Sequence, residues 1–366
     1  MSEERIDPQP AIGKPASPAF GEKTGEHVQL HIGEWKDGRW SYLYGEDTGY
    51  RGAEADMEDV RQAARDARDG ELPKIIQGPI LNPPVWTWEV PLYFWFGGIA
   101  AGSSFVALAC DLAGDERSAA VARKVALGAL GPSPVLLILD LGRPERFVNM
   151  LRIFKPRSPM SMGAWALTLF GNLAAAAVGA DLLGRWRLAQ RIGGANAVVG
   201  GYLGSYTGVL LASTAVPVWA RSRLFLGPIF VSTAAATGAA ACRLALVADG
   251  LPVGHPTRRA LGTVETAAMT SELALSIINE KRLGELASGL EEGRPGKLFK
   301  LAKWSVRAGL ALRFARGRGP WVHHVASALY LAAGLAFRYA WVGAGRVSAQ
   351  HDEVVAQMAR DKRPGT

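Results

Sequence analysis

The sequence predicts an all-α fold: a polytopic helical membrane protein with about eight transmembrane helices, preceded by a polar, partly disordered N-terminal extension. Three observations predict it. From Val90 onward, apolar stretches recur that are long enough to cross a bilayer, each needing about 20 residues of helix. Residues 1–84 are instead polar, charged and rich in Gly and Pro, with no long apolar window. Trp86, Trp88 and Trp95 stand where the two regimes meet, as aromatic residues do at a membrane interface. The chain therefore divides into an extension over 1–84, a transmembrane domain over 85–345 and a tail over 346–366.

Within the extension, the stretch from Glu34 to Tyr44 alternates in part and carries Trp35, Trp40, Tyr42 and Tyr44, with Tyr50 beyond it. These aromatics suit either a small hairpin or a protein-binding arm. Ala53 to Arg68 is a charged helix candidate with a thin apolar side, and Pro83-Pro84 ends any soluble helix. Met1 to Gly33 has neither an apolar core nor a twin arginine, so no signal peptide is expected.

The expected spans are about 90–112, 119–141, 162–184, 194–218, 224–248, 259–280, 299–315 and 321–343. The sixth carries Glu265 and Glu272; the seventh is short and carries Lys303 and Arg307. Gly200, Gly204 and Gly208 form a small-residue ridge along span four, where a neighbouring helix can approach closely. Loop charge favours both termini in the cytoplasm. Their side holds Arg143, Arg146, Arg152, Lys155 and Arg157 among others, against Arg117, Arg123, Lys124 and Arg258 among those opposite. The net charge of +8 fits basic loops against anionic lipid headgroups. No basic stripe interleaved with aromatics suggests nucleic acid.

Cys110 and Cys242 lie in apolar runs with no cluster spacing and read as small packing residues. Of the six histidines, only His323 and His324 fall at the mouth of a span. Stacked haems need histidines facing each other across helices, so neither haem nor metal is expected.

Several polar groups sit where lipid would make them costly. Glu89 and Tyr93 are four apart and share one face at the start of span one. A carboxylate beside a phenol at interface depth suits the polar head of a quinone, whose chemistry moves two protons with two electrons. The same spacing also fits an interfacial Tyr–Trp belt with a solvated Glu. Asp140 closes span two ahead of a basic, proline-set loop, and such membrane-edge charges usually face protein, water or a ligand. Span four offers Tyr202, Ser205, Tyr206 and Ser213, a seam that suits either helix–helix hydrogen bonding or a ligand. In span six Glu265, Met269 and Glu272 share one stripe. Each charge at a helix centre costs about 2.5–3.5 kcal/mol, so a hydrated cavity, a proton route or buried partners must offset it. Arg338 and Asp140 are the candidate partners, and a structural salt bridge and a proton path both remain open.

Three segments carry a resemblance. They are Pro91-Leu-Tyr-Phe-Trp-Phe-Gly-Gly-Ile-Ala-Ala-Gly102; Asp140-Leu-Gly-Arg-Pro-Glu-Arg-Phe147 with Ser158-Pro-Met-Ser-Met-Gly-Ala-Trp165; and Tyr206-Thr-Gly-Val-Leu-Leu211 leading to Pro217-Val-Trp219. With the ending from Leu335 to Gly345, they make the chain resemble the NrfD-type, or polysulfide-reductase, membrane-subunit family over roughly Val85 to Gly345. The resemblance implies a haem-free quinone-reactive membrane anchor, not catalytic alone. Its partners would be a ferredoxin-like iron–sulfur subunit and a molybdopterin catalytic subunit, which would hold the clusters and the molybdopterin.

Carried over by motif, the quinone site falls on Tyr93, where some members have His, on Tyr206, and on Asp140 and Arg143, with Glu89 as the natural proton-exchanging substitute. The resemblance further implies a prokaryotic plasma membrane and menaquinone or ubiquinone as cofactor. The long extension departs from the compact members of the family; it shares a side with the loop between spans two and three, and is therefore expected to wrap the iron–sulfur partner. A cytoplasmic formate dehydrogenase would fit. Two rivals stand beside this reading: a proton-translocating module using Glu265, Glu272 and Asp140 with Arg338, and a purely structural anchor.

Overall fold

The computed structural model describes residues 61, 65, 81, 83–141, 147–314, 319, 321–351 and 355, and every regular element among the longer of these stretches is a helix. Helix α1 (Glu89–Leu112) turns at Gly114, whose φ of 73° suits a residue without Cβ, into α2 (Glu116–Leu130). Asp115 caps α2 by accepting the Ser118 amide at 3.0 Å. Gly131 and Pro132 break the second span, and α3 (Pro132–Asp140) completes it. After the short α4 (Phe147–Arg152), Ser158 caps α5 (Pro159–Leu182), with Pro159 in the first turn where its missing N–H costs nothing. A second left-handed glycine, Gly184 at φ 69°, turns the chain into α6 (Trp186–Ala212). Then come α7 (Pro217–Arg221), α8 (Arg223–Ala248) and α9 (Pro256–Leu283), a 3-10 turn (Gly284–Ala287), α10 (Ser288–Glu291), α11 (Gly293–Phe314) and α12 (Trp321–Ala349).

Five segments are long and apolar enough to cross a membrane: α1, the α2–α3 pair over Glu116–Asp140, α5, α8 and α12. Helices α6, α9 and α11 have the length, at 27, 28 and 22 residues, but not the apolar composition. In α9 and α11 the reason is the charge they carry, from Arg258 to Arg282 and from Lys297 to Arg313. The fourth span departs from its expected range of 194–218. It starts earlier, directly after the Gly184 turn, and stops at Ala212. There the Ser213 and Thr214 hydroxyls donate back to the Leu210 and Leu211 carbonyls at 2.7 and 2.8 Å, and Pro217 opens α7. Ser213 is thus an exposed cap rather than part of a seam with Tyr206. Helix α12 continues past 345 to Ala349.

Helices α1, α6 and α8 meet through small residues. A Cβ on Gly200 would press on Ser104 and Ala101 of α1, and one on Gly208 would overlap the Leu226 carbonyl of α8. The expected ridge is therefore a packing surface. Gly102 of α1 and Gly238 of α8 meet at the tightest of these crossings, where a Cβ on Gly238 would overlap the backbone of Gly102 and Ser103. Phe94, Phe170, Phe230, Phe337 and Trp341 are all buried in one core cluster. Cys110 and Cys242 are free, buried and part of one apolar cluster with Val106, Ala239 and Leu246.

The aromatics from Trp35 to Tyr50, most of the Ala53–Arg68 segment and the loop from Gly142 to Arg146, with Arg143, lie outside the described residues.

Candidate functional site

Successive long helices alternate in direction, so the start of α1, the end of α3, the start of α5 and the end of α6 share one end of the bundle. A hydrogen bond from Tyr339 Oη in α12 to the Trp88 carbonyl at 2.9 Å ties the last helix to that same end.

Glu89 is the first residue of α1, 5% exposed, and its carboxylate accepts a hydrogen bond from the Thr87 hydroxyl. One turn on, Tyr93 is buried with its ring 5.6 Å from that of Phe94. Asp140 ends α3 within electrostatic reach of Glu89. Its Oδ1 is buried without a hydrogen-bond partner among the described residues. Tyr206 comes from α6, 4% exposed and within electrostatic reach of Tyr93. The half-exposed Tyr202 ring stacks on it at 5.8 Å. Four of the five residues expected from the sequence thus converge from α1, α3 and α6, and Arg143 is outside the described residues.

Residues that looked like bystanders build the walls. Gly163, inside the Ser158–Trp165 motif, gives the Tyr206 phenol its seat, because a Cβ there would overlap the ring and its Oη. Trp219 is fully buried. It donates Nε1 to the Trp341 carbonyl at 2.8 Å, stacks on Trp86 at 5.4 Å, and rests on Gly345, where any Cβ would collide with its ring. The chain entering α1 is thereby fixed by Trp219 and Tyr339, both far away in sequence. Their signal lay in the Pro217-Val-Trp219 and Tyr339–Gly345 segments, but no spacing rule links them to Glu89.

Within the second group of predicted residues, Glu265 has other partners than those expected, and Glu272 keeps Arg338 nearby. Glu265 is fully buried and binds Arg313 of α11, with Arg243 of α8 at 4.0 Å and the Ser327 hydroxyl donating at 2.9 Å. Neither Arg338 nor Asp140 pairs with it. Glu272, two turns along, accepts from Ser276 at 2.9 Å and lies within electrostatic reach of Arg338 without forming an ion pair. Arg338 is buried, donates Nη2 to the Phe230 carbonyl at 3.2 Å and lays its guanidinium 3.7 Å over the Phe230 ring.

A quinone head group needs hydrogen-bonding groups at its ring oxygens, set in an otherwise apolar wall. Asp140 Oδ1, unpartnered among the described residues, the two buried phenols and the neighbouring aromatic rings fit that requirement. Among known proteins, a family model described as polysulphide reductase, NrfD, matches residues 80–278. No curated protein matches the chain.

Proposed function

This chain belongs to the polysulphide reductase NrfD family, and from that premise we propose that it is the integral membrane subunit through which an iron–sulfur partner exchanges electrons with menaquinone or ubiquinone. The observation that supports this reading most is the convergence of Glu89, Tyr93, Asp140 and Tyr206 at one end of the bundle, with an acceptor among them that has no partner among the described residues. A bound quinone supplies two-electron, two-proton redox chemistry. In this reading Tyr206 Oη donates a hydrogen bond toward one ring oxygen, and Gly163 holds the phenol in position. Asp140 takes up or releases a proton at Oδ1. Glu89, at the first turn of α1 and next to the membrane edge, passes that proton to or from water. Arg143 steadies Asp140 or faces the partner.

Members of this family generally partner with iron–sulfur and molybdopterin subunits. We assign residues 1–84 the role of wrapping the iron–sulfur subunit on the cytoplasmic side of a prokaryotic plasma membrane, with formate dehydrogenase as the complex served. The test is Tyr206→Phe in the purified complex. Quinone turnover is expected to fall about tenfold, the scale of one hydrogen bond to the ring oxygen, while the partner subunits still copurify. Unchanged turnover overturns the role.

A second reading has its own observation. Glu265 and Glu272 are both buried on the inner face of α9, and Glu272 borders a cavity of about 10 Å3, room for about one water. A proton route along α9 predicts that proteoliposomes change internal pH during turnover. Glu272→Gln then abolishes that change while quinone reduction continues; an unaltered pH change eliminates the route.

A further inference from the structure

At the opposite end of the bundle, a cavity of about 810 Å3 opens between α8, α9, α11 and α12. Arg243, Arg258, Arg259, Arg313 and His323 line it, and so do Val253 and Phe314. We propose that it binds a phosphate-bearing anion, the headgroup of an anionic phospholipid in the leaflet at that end. This site is separate from the Glu89–Tyr206 cluster and does not rest on the function proposed above.

Charge is the first argument. Among the described residues, four arginines line the cavity and the one carboxylate that reaches them is Glu265, bound to Arg313 and 4.0 Å from Arg243. The other acids nearby are already engaged: Asp249 by Arg117 at 2.8 Å, and Asp115 by Thr257 and the Ser118 amide. Guanidiniums gathered at a membrane boundary with a single carboxylate to share repel one another and lose hydration, and an anion relieves both costs.

Preorganisation is the second argument. Arg243 and Arg258 are only 6% and 5% exposed, and their Nε atoms, with that of Arg313, are buried without a partner among the described residues. Each guanidinium is nevertheless held in place. Arg243 Nη1 donates to the His323 carbonyl at 2.9 Å, and Arg258 Nη1 to the Leu251 carbonyl at 2.7 Å. At the rim, Arg259 Nη2 donates to the Gly254 carbonyl at 2.9 Å. Planar, fixed guanidinium forks match phosphate oxygens in pairs.

The lipid source follows from the surroundings. The volume is far more than a free phosphate fills, and its wall runs outward over Val253, 58% exposed, and Phe314, 73% exposed, with Trp321 at 61% on the next helix. Basic pockets between transmembrane helices with an adjoining apolar flank suit a phospholipid, headgroup on the arginines and acyl chains along the helices.

The test uses the full-length protein with its copurifying subunits, extracted in gentle detergent and stripped of loosely held lipid. Native mass spectrometry then reads bound phospholipid. Thermal unfolding is followed with added phosphatidylglycerol, phosphatidylcholine or inorganic phosphate. The wild type is expected to retain an anionic phospholipid, and phosphatidylglycerol alone to raise its melting temperature. The Arg258→Gln/Arg259→Gln double variant is expected to bind about tenfold or more weakly, the loss of a charge-assisted hydrogen bond. Arg259→Gln alone, at an exposed position, provides a weaker-binding variant should the double variant unfold. Stabilisation by millimolar inorganic phosphate in place of the lipid keeps the anion site and assigns it to free phosphate. Absence of binding in every arm, or equal lipid retention and stabilisation in wild type and both variants, overturns the proposal.

Discussion

Two buried charge clusters cap opposite ends of the same helices, and they are built on opposite terms. At the far end, Arg123 of α2 donates Nη1 to Asp111 of α1 at 2.7 Å and Nε to Asp181 of α5 at 2.6 Å, with Nη2 reaching the second Asp181 oxygen at 2.8 Å. At the near end, Asp140 keeps a buried oxygen without a partner among the described residues and has another carboxylate, Glu89, for a neighbour. The first cluster spends its polar capacity on three helices; the second holds some in reserve. Asp140 Oδ1 is one of several buried side-chain atoms without a partner among the described residues, and what sets it apart is its place beside Glu89 and near the two buried phenols. The comparison separates what holds this bundle together from what it offers to a ligand.

Breaking the satisfied cluster should have the largest effect. Arg123→Ala strands two carboxylates that are at most 10% exposed, and removing one partner of a buried pair costs about 3–5 kcal/mol. Loss of the folded protein, or a steep drop in melting temperature in detergent, is the expected result. A melting temperature equal to wild type would show that water reaches the cluster and that the contrast between the ends is false.

The neutral crossing of α1 and α8 between those ends comes next. Gly238→Val sets a side chain against the backbone of Gly102 and Ser103, which cannot rotate away, so the helices must part. Overpacking of this kind typically costs about 1–3 kcal/mol. Measured by thermal unfolding, Gly238→Val should fall between Arg123→Ala and any change at Asp140. An effect smaller than that of Asp140→Asn would mean that the crossing is loose.

Much of this was legible in the sequence, for reasons that also explain what was not. The α1, α5, α8 and α12 spans announce themselves because a bilayer demands long apolar runs. Glu89 and Tyr93 were readable because four residues along a helix is a fixed geometry. The fourth helix was misplaced because its ends are set by the Gly184 turn and by the Ser213 and Thr214 hydroxyls, which hydropathy does not register. Arg123 read as a loop charge of the kind that sets orientation, yet it is 5% exposed inside a cluster. Its acids lie 12 and 58 residues away, and no local pattern joins them. Likewise Glu265 pairs with Arg313, 48 positions on, rather than with the more central Arg338. The roles of Gly163 and Gly345 are contacts across helices, so they exist only in the fold.

The smallest expected effect on stability is also the sharpest test of the comparison. Asp140→Asn preserves the shape of the side chain while removing its charge and its capacity to take up a proton. Because the buried Oδ1 has no partner to lose among the described residues, their packing should not respond. Removing one of two neighbouring carboxylates relieves a like-charge contact with Glu89 besides. Stability should therefore stay within about 0.5 kcal/mol of wild type, the range of a substitution that breaks no structural feature. Quinone turnover in the complex should fall together with that of Tyr206→Phe. A clear loss of stability with normal turnover would make Asp140 a structural carboxylate like Asp111 and Asp181, its partner lying among the neighbouring residues from Gly142 to Arg146. Preserved stability with lost turnover would establish that this end of the bundle keeps an acceptor open because its chemistry requires one.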